Sequence, residues 1–334
     1  MATEMATGQQ ALDAAQLIGV DWGSTSLRAF LIGADGLALA ERANGDGASV
    51  ISGAGAFAAA LDEVAGDWMR ARPALPVVAC GMVGSLHGWL DVPYAACPAD
   101  ARALATGMLP SPGGAESKQI LIAPGLLCDE SGLPPDVMRG EETQIIGALH
   151  LQPQLSEGAC IVLPGTHSKW AQVRHGKIRR FATHMTGELY AVLRKHSVLG
   201  RLMEESAFNE AAFLDGVEAA RRHGHLGVAH QMFAARTLGV TGRMAPAALG
   251  DYLSGLLIGH EFRAGLAWRE QAGLETAPLA LVGSAELCRR YQVALRHYSG
   301  ERALALDNTA PAGLLLLARA AGLAPSQSTS LESV

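Results

Sequence analysis

The chain has 334 residues, 49% of them apolar and 17% charged, with a formal net charge of −6. That length suits two domains on the usual scale of roughly 100–200 residues each. The acidic balance, with no Lys/Arg run, excludes the electrostatic footprint of a protein that binds nucleic acid or an anionic membrane.

Residues 1–15 are rich in Ala, Thr and Gln and lack the basic end and apolar stretch of a signal peptide. The segment Leu17-Ile18-Gly19-Val20 then runs into Asp21-Trp22-Gly23-Ser24-Thr25-Ser26 and out through Leu27 to Ile32, which predicts a strand, a tight loop and a returning strand. Residues 56–71 predict a helix with Phe57, Leu61, Val64 and Trp68 on one face, stopped by Pro73. Residues 75–80 predict a buried strand. Residues 81–98, with His87, Trp89 and Tyr94, predict a long, functional surface loop. A turn-rich break at 110–114, a strand at 120–124 and a loop at 126–135 follow.

Glu141 to Leu151 predicts a helix that ends at Pro153. A second strand, loop and strand comes next: Cys160 to Leu163, Pro164-Gly165-Thr166-His167-Ser168, and Lys169 to Val173. Residues 187–230 are mostly helical, and 246–271 predict a long amphipathic helix or a pair of helices. Residues 279–282 form a strand that delivers Gly283-Ser284-Ala285-Glu286 into a helix. Residues 312–322 form a closing helix, and a polar tail begins at Pro325. Strands alternating with helices indicate an α/β protein. No run of about 18 apolar residues exists to span a bilayer. The five scattered cysteines (Cys80, Cys97, Cys128, Cys160, Cys288) contain no C-x-x-C pair, so a disulfide framework or zinc ribbon is not expected. A soluble, cytoplasmic protein is expected.

The two hairpins read as the same device. Each aims backbone N–H groups and hydroxyls at one point, which is what a phosphate chain needs. Either loop alone could be an ordinary turn; two of them suggest a duplicated scaffold that grips a nucleotide between lobes. Asp21, ending an apolar strand, is costly to bury without a partner, and hydrated Mg²⁺ is one candidate. Lys169 is either a solvated charge or a γ-phosphate contact. Gly283 and Ser284 open a helix whose N-terminus could admit a ribose or adenine, or they form only a close strand–helix turn. Arg139-Gly140-Glu141-Glu142-Thr143-Gln144 opens another helix. Its acids either complement the helix dipole or supply a general base, and Arg139 could pair with phosphate or a carboxylate.

Two other patterns carry little. Gly53-x-Gly55-x-x-Ala58 lacks the strong preceding strand and following acid of a dinucleotide fingerprint, and no G-x-x-x-x-G-K-[ST] occurs. The eleven histidines show no metal-ligand spacing.

The hairpin pair, the helix between them, the strand-Gly-Ser-helix unit and the final helix resemble the five-part pattern of the actin, Hsp70 and sugar-kinase superfamily. More closely, residues 17–322 resemble the 2-dehydro-3-deoxygalactonokinase family. The stretches carrying the likeness are 20–28, Cys80-Gly81-Met82-Val83-Gly84-Ser85 with Gly88-Trp89 and Pro93-Tyr94, 138–144, 164–170 and His184-Met185-Thr186-Gly187-Glu188-Leu189.

The resemblance implies a two-domain actin-like ATPase (ribonuclease H-like) fold with a nucleotide cleft between the lobes. It implies an N-terminal lobe over 16–141 closed by helix 312–324, an interlobe helix over 142–154 and a C-terminal lobe over 155–311. It implies phosphorylation of the 6-hydroxyl of 2-dehydro-3-deoxy-D-galactonate by Mg-ATP in galactonate breakdown. Asp21 would hold Mg²⁺ through water. Gly23, Ser24, Thr25, Gly165, Thr166, Ser168 and Lys169 would face the phosphates, and Gly283 and Ser284 the adenosine. Gly84, Ser85, His87, Trp89, Arg139, Thr186 and Glu188 would surround the sugar acid.

Many sugar kinases of the superfamily use an aspartate as base, whereas the corresponding position here offers Glu141 and Glu142, with Glu141 slightly preferred. A similar acid pair serves exopolyphosphatases, so a phosphohydrolase on the same scaffold is one alternative. A nucleotide-gated interaction protein without turnover is another. A two-fold homodimer is the base-rate expectation for assembly.

Overall fold

The computed structural model describes residues 2–112 and 119–325. The chain divides into two compact units. The first comprises Met1–Ser156, His175–Arg180 and Asn308–Val334; the second comprises Glu157–Arg174 and Phe181–Asp307.

The first unit begins with α1 (Ala2–Ala14), where the sequence suggested no element. It continues with β1 (Leu17–Trp22), β2 (Leu27–Ile32), β3 (Ala38–Asn44), α2 (Ala54–Ala71) and β4 (Val77–Gly81). Then come β5 (Ala95–Ala96), α3 (Ala101–Thr106), β6 (Leu109–Pro110), β7 (Leu121–Ile122), β8 (Leu126–Cys128), β9 (Asp136–Met138) and α4 (Glu141–Leu151). Its main sheet has the order β3-β2-β1-β4-β7-β6, and β5, β8 and β9 form a small second sheet.

The second unit contains β10 (Gly158–Leu163), β11 (Ser168–Arg174), β12 (Lys177–His184), α5 (Thr186–His196), α6 (Glu210–His223), α7 (Val228–Gln231) and α8 (Ala234–Val240). It continues through α9 (Pro246–Gln271), β13 (Leu279–Val282), α10 (Ala285–Ser299) and β14 (Leu304–Leu306), before α11 (Ala310–Ala320) returns to the first unit. The sheet order is β12-β11-β10-β13-β14.

The two sheets repeat one plan. In each, an antiparallel hairpin (β1–β2, β10–β11) leads to an outer strand, and the chain then crosses to lay β4 or β13 parallel on the other side of the first strand. This is the sheet of the actin-like, ribonuclease H-like fold. β1 and β4 are buried along their whole length, as apolar strands covered on both faces must be.

Close helix packing in the first unit depends on two glycines. A Cβ at Gly147 of α4 would lie 1.9 Å from the Thr309 carbonyl oxygen, and one at Gly313 of α11 would lie 1.9 Å from that of Thr143. In the second unit α9 is one continuous helix, entered through Pro246 in its first turn, where that residue's missing N–H costs nothing. Among the described residues no helix is long and apolar enough to cross a membrane.

Two expectations need correction. The stretch 81–98 is a surface loop only in part: Leu86, His87, Asp91, Pro93 and Tyr94 are exposed, but Val83 and Val92 are fully buried, and Trp89 packs against Trp22 and Phe57 with ring centroids 6.1 Å from each. Burying Val83, Trp89 and Val92 removes more apolar area from water than leaving them on a solvent-facing loop would. The segment 126–135 is not all loop, because Leu126–Cys128 pairs with Asp136–Met138. Part of the expected break at 110–114 (residues 113 and 114) and the tail after Pro325 lie outside the described residues.

Candidate active site

In the first unit the chemistry gathers where β1, β4 and the start of α4 meet. Gly81 (φ 95°) and Gly140 (φ 107°) both use backbone angles that disfavour side chains. A Cβ on Gly140 would come within 3.2 Å of the Gly81 Cα, and one on Gly81 within 2.6 Å of the Trp22 carbonyl oxygen. Contact at this range sets the first turn of α4 beside the end of β1.

Asp21 is 7% exposed. Its partner is Arg28, directly opposite in the hairpin register, with Nη2 2.5 Å from Oδ2. Burial pushes the Asp21 carboxyl up, Arg28 opposes that shift, and the Glu141 charge adds to it.

The two glutamates are placed differently. Glu142 is fully buried; its Oε2 accepts the Gly140 N–H at 2.7 Å and its Oε1 accepts the Thr143 hydroxyl at 2.8 Å. Burial, then the Glu141 charge, pushes its carboxyl up to about 7. Glu141 is partly exposed, and its Oε2 accepts the Arg139 backbone N–H at 3.0 Å.

The Arg139 side chain is 8% exposed and lies over the Tyr94 ring at 4.2 Å, with Nη2 donating to the Val92 carbonyl at 2.8 Å. Its Nε and Nη1 have no protein partner among the described residues. A Cβ on Gly84 would come within 3.0 Å of Nη1, so Gly84, Val92, Tyr94 and Arg139 form one cradle. Ser85 spends its hydroxyl on the Met82 carbonyl, His87 is exposed, and Trp89 belongs to the core described above.

The loop carrying Gly23, Ser24 and Thr25 leaves both side-chain hydroxyls exposed. It closes through Gly23 N–H to Ser26 O, and the 47–49 segment braces it: Ala48 N–H donates to Gly23 O, and Ser49 donates to Ser24 O through both its N–H and its hydroxyl.

In the second unit, Gly165 and Thr166 open onto a cavity of about 480 Å³ that Thr186, Gly187, Ser284 and Glu286 also line. The 186–188 turn lies directly on the loop. A Cβ on Gly187 would meet the Gly165 carbonyl oxygen at 2.5 Å, the Glu188 N–H donates to Thr166 O at 3.0 Å, and the Glu188 carboxylate contacts the His167 ring. Thr186 and Glu188 thus stand with the second loop. Ser168 is fully buried with its hydroxyl at Tyr291, and Lys169 is buried with Nζ donating to His167 O at 3.1 Å; neither side chain lies at the loop's open face. Ser284 faces this cavity, while Gly283 (φ 151°) lines a separate one with Cys288 and Asp307.

Three residues of these clusters escape sequence reasoning. Arg28 sits in a strand with nothing to mark it as the Asp21 partner. Glu261, an acid inside an apolar helix, and Tyr291 both bury polar groups against the second loop. Only Glu261 left a signal, as a charge among the core-facing residues of α9.

Among the described residues no group of three or more His, Cys, Asp or Glu is placed to hold a metal ion. A single carboxylate such as Asp21 nevertheless suits Mg²⁺, which keeps most of its water and takes one or two protein oxygens beside substrate phosphates.

Residues 21–317 match the family described as 2-keto-3-deoxy-galactonokinase. The chain is similar to the 2-dehydro-3-deoxygalactonokinase of Escherichia coli (strain K12), 38% identical over 299 residues that cover 90% of this chain and 94% of that protein. It is also similar to the Rhizobium meliloti (strain 1021) protein named 2-dehydro-3-deoxygalactonokinase DgoK1, 35% identical over 306 residues, 90% and 96% of the two chains. A crystal structure of a protein from Sinorhizobium meliloti given the same enzyme name superposes with a TM-score of 0.78 at 34% identity, over 91% of this chain and 98% of the other. None of these likenesses favours a phosphohydrolase or a non-catalytic nucleotide binder.

Proposed function

The chain belongs to the 2-keto-3-deoxy-galactonokinase family, a family of ATP-using carbohydrate kinases, and we propose that it transfers the γ-phosphoryl group of ATP to the 6-hydroxyl of 2-dehydro-3-deoxy-D-galactonate. The observation that carries the acid half of this reading is Arg139. A guanidinium that is 8% exposed, with Nε and Nη1 unpartnered, is an unpaid desolvation cost unless an anion completes it. A sugar-acid carboxylate would complete such a guanidinium, and the Tyr94 ring face holds its plane.

Phosphoryl transfer asks the protein mainly for positioning and for charge stabilisation. In the first unit the exposed Ser24 and Thr25 hydroxyls, and in the second the exposed Thr166 hydroxyl, are donors suited to phosphate oxygens, and the second unit's cavity bounded by Ser284 receives the nucleoside. Asp21 would hold Mg²⁺ through water, and the ion supplies charge neutralisation at the phosphates. Glu141 is the base: it is the member of the acid pair with solvent access, and its orientation is fixed by the Arg139 N–H. Glu142 is sealed away from any substrate and stands behind Glu141 as a proton-holding neighbour.

The test is coupled ADP release across 2-keto-3-deoxy sugar acids and their carboxamides, in wild type and Arg139→Met. The acids should be phosphorylated, and the carboxamides and the variant should raise KM on the order of 10–100-fold, the scale of a lost charge-assisted hydrogen bond. Equal turnover of acids and carboxamides would remove Arg139 from substrate recognition, and no turnover of any acid would remove the substrate class.

A further inference from the structure

Glu261 lies in α9 and is 3% exposed, yet three side-chain donors from three different elements converge on it. Trp170 Nε1 of β11 donates to Oε1 at 2.9 Å, while Thr186 Oγ1 of α5 at 2.5 Å and Tyr291 Oη of α10 at 2.7 Å both donate to Oε2. One helical turn along, Gly265 makes room for the Trp170 indole, since a Cβ there would lie 2.4 Å from the ring.

Glu261 accepts all three bonds, and this sets the direction of the bonds behind it. Tyr291 spends its single proton on Glu261, so the 2.9 Å contact between Ser168 Oγ and Tyr291 Oη must run from Ser168 to Tyr291. Ser168, its proton spent, then accepts the Gly165 N–H at 3.4 Å. The chain of bonds therefore reads Gly165 to Ser168 to Tyr291 to Glu261, from the open loop into the core. The elements it ties together are the walls of the 480 Å³ cavity, where Gly165, Thr166, Thr186 and Tyr291 all stand.

We propose that Glu261 is a positioning residue for ATP, locking the 164–168 loop and the 186–187 turn in phosphate-binding geometry through Tyr291 and Ser168. It touches no substrate itself. The proposal rests on the assignment of this cavity to the nucleotide. A glutamine would not replace the carboxylate. Whichever way its amide is turned, the NH2 group either faces the Trp170 Nε1–H, which can only donate, or donates to the Thr186 and Tyr291 hydroxyls and reverses the order of bonds behind Tyr291, so the loop loses part of its support.

The test measures KM for ATP, KM for the sugar acid and kcat on the full-length chain for Glu261→Gln, Tyr291→Phe and Ser168→Ala. Binding of a non-hydrolysable ATP analogue is measured by calorimetry for wild type and for Ser284→Trp, which fills the cavity. The expected result is a rise in KM for ATP of about 5–50-fold in Glu261→Gln, the scale of one buried bond left unmade, with the sugar-acid KM within about two-fold of wild type. Tyr291→Phe keeps the Trp170 and Thr186 bonds and should show a smaller rise with the same selectivity, even if Glu261→Gln fails to fold. Wild-type KM for ATP in Tyr291→Phe and Ser168→Ala, or an equal rise in both KM values, would overturn the proposal. If Ser284→Trp binds the analogue as wild type does, the nucleotide assignment of the cavity falls. If Ser284→Trp abolishes binding while the relay variants keep wild-type KM for ATP, only the role of Glu261 falls.

Discussion

Arg28 and Asp21 form an ion pair across directly opposed positions of the first hairpin, with Nη2 2.5 Å from Oδ2. The arginine keeps about a third of its side chain in solvent while the aspartate is nearly enclosed, so the pair loses less on desolvation than one fully buried. Arg28 opposes the upward push that burial gives the Asp21 carboxyl, at the mouth of the loop that carries Ser24 and Thr25.

Arg28→Met should therefore destabilise the protein by about 2 kcal/mol, because it strands a buried carboxylate, and Asp21→Asn in that background should recover part of the loss. Urea unfolding of both single variants and the double variant measures the coupling. Strictly additive effects would show that the pair contributes nothing to stability.

The Glu142 carboxyl, raised from 4.5 to about 7, binds its proton more tightly in the folded chain than in the unfolded one. This group thus favours folding below about pH 4.5, and the contribution is lost as pH rises to about 7, roughly 3 kcal/mol in all. Glu142→Gln, which keeps a neutral side chain of the same shape, should match wild type near pH 4.5 and exceed it in stability at pH 8. Denaturant titrations at the two pH values test this, and a constant difference between the proteins would contradict it.

Glu141→Gln keeps size and polarity but cannot take a proton. It should lower kcat on the order of 10²–10⁴-fold, the usual scale for a general base, while KM for ATP stays near wild type. Steady-state kinetics with both substrates varied separates the two effects. A kcat within about two-fold of wild type would show that Glu141 is not the base.

Gly313→Ala should cost about 1–3 kcal/mol or more, because its Cβ would enter the Thr143 carbonyl and force α11 away from α4. Thermal unfolding reads the loss. Gly8→Ala, where a Cβ meets nothing within 4 Å, serves as a control with little expected change.

Much of the site could be read before folding, where function is written in contiguous residues. The strand-loop-strand units around Asp21 and Thr166 and the helix opening at Glu141 each follow from apolar periodicity interrupted by glycine and hydroxyl residues, which are local signals. Trp89 shows where local reading stops. A tryptophan in a Gly- and Pro-rich stretch looks like a binding residue, but Phe57 and Trp22, distant in sequence, offer it a core.

Composition, periodicity and motif order were enough to establish an α/β chain with two repeated hairpins, the acid pair and the likeness to a kinase family, because each depends on neighbours along the chain. Tertiary structure alone decided that Asp21 is answered by Arg28, that Glu142 is sealed while Glu141 is not, and that Ser168 turns inward to Tyr291 and Glu261. Those outcomes depend on which groups lose water together, and residues far apart in sequence meet only once the sheets and helices have packed.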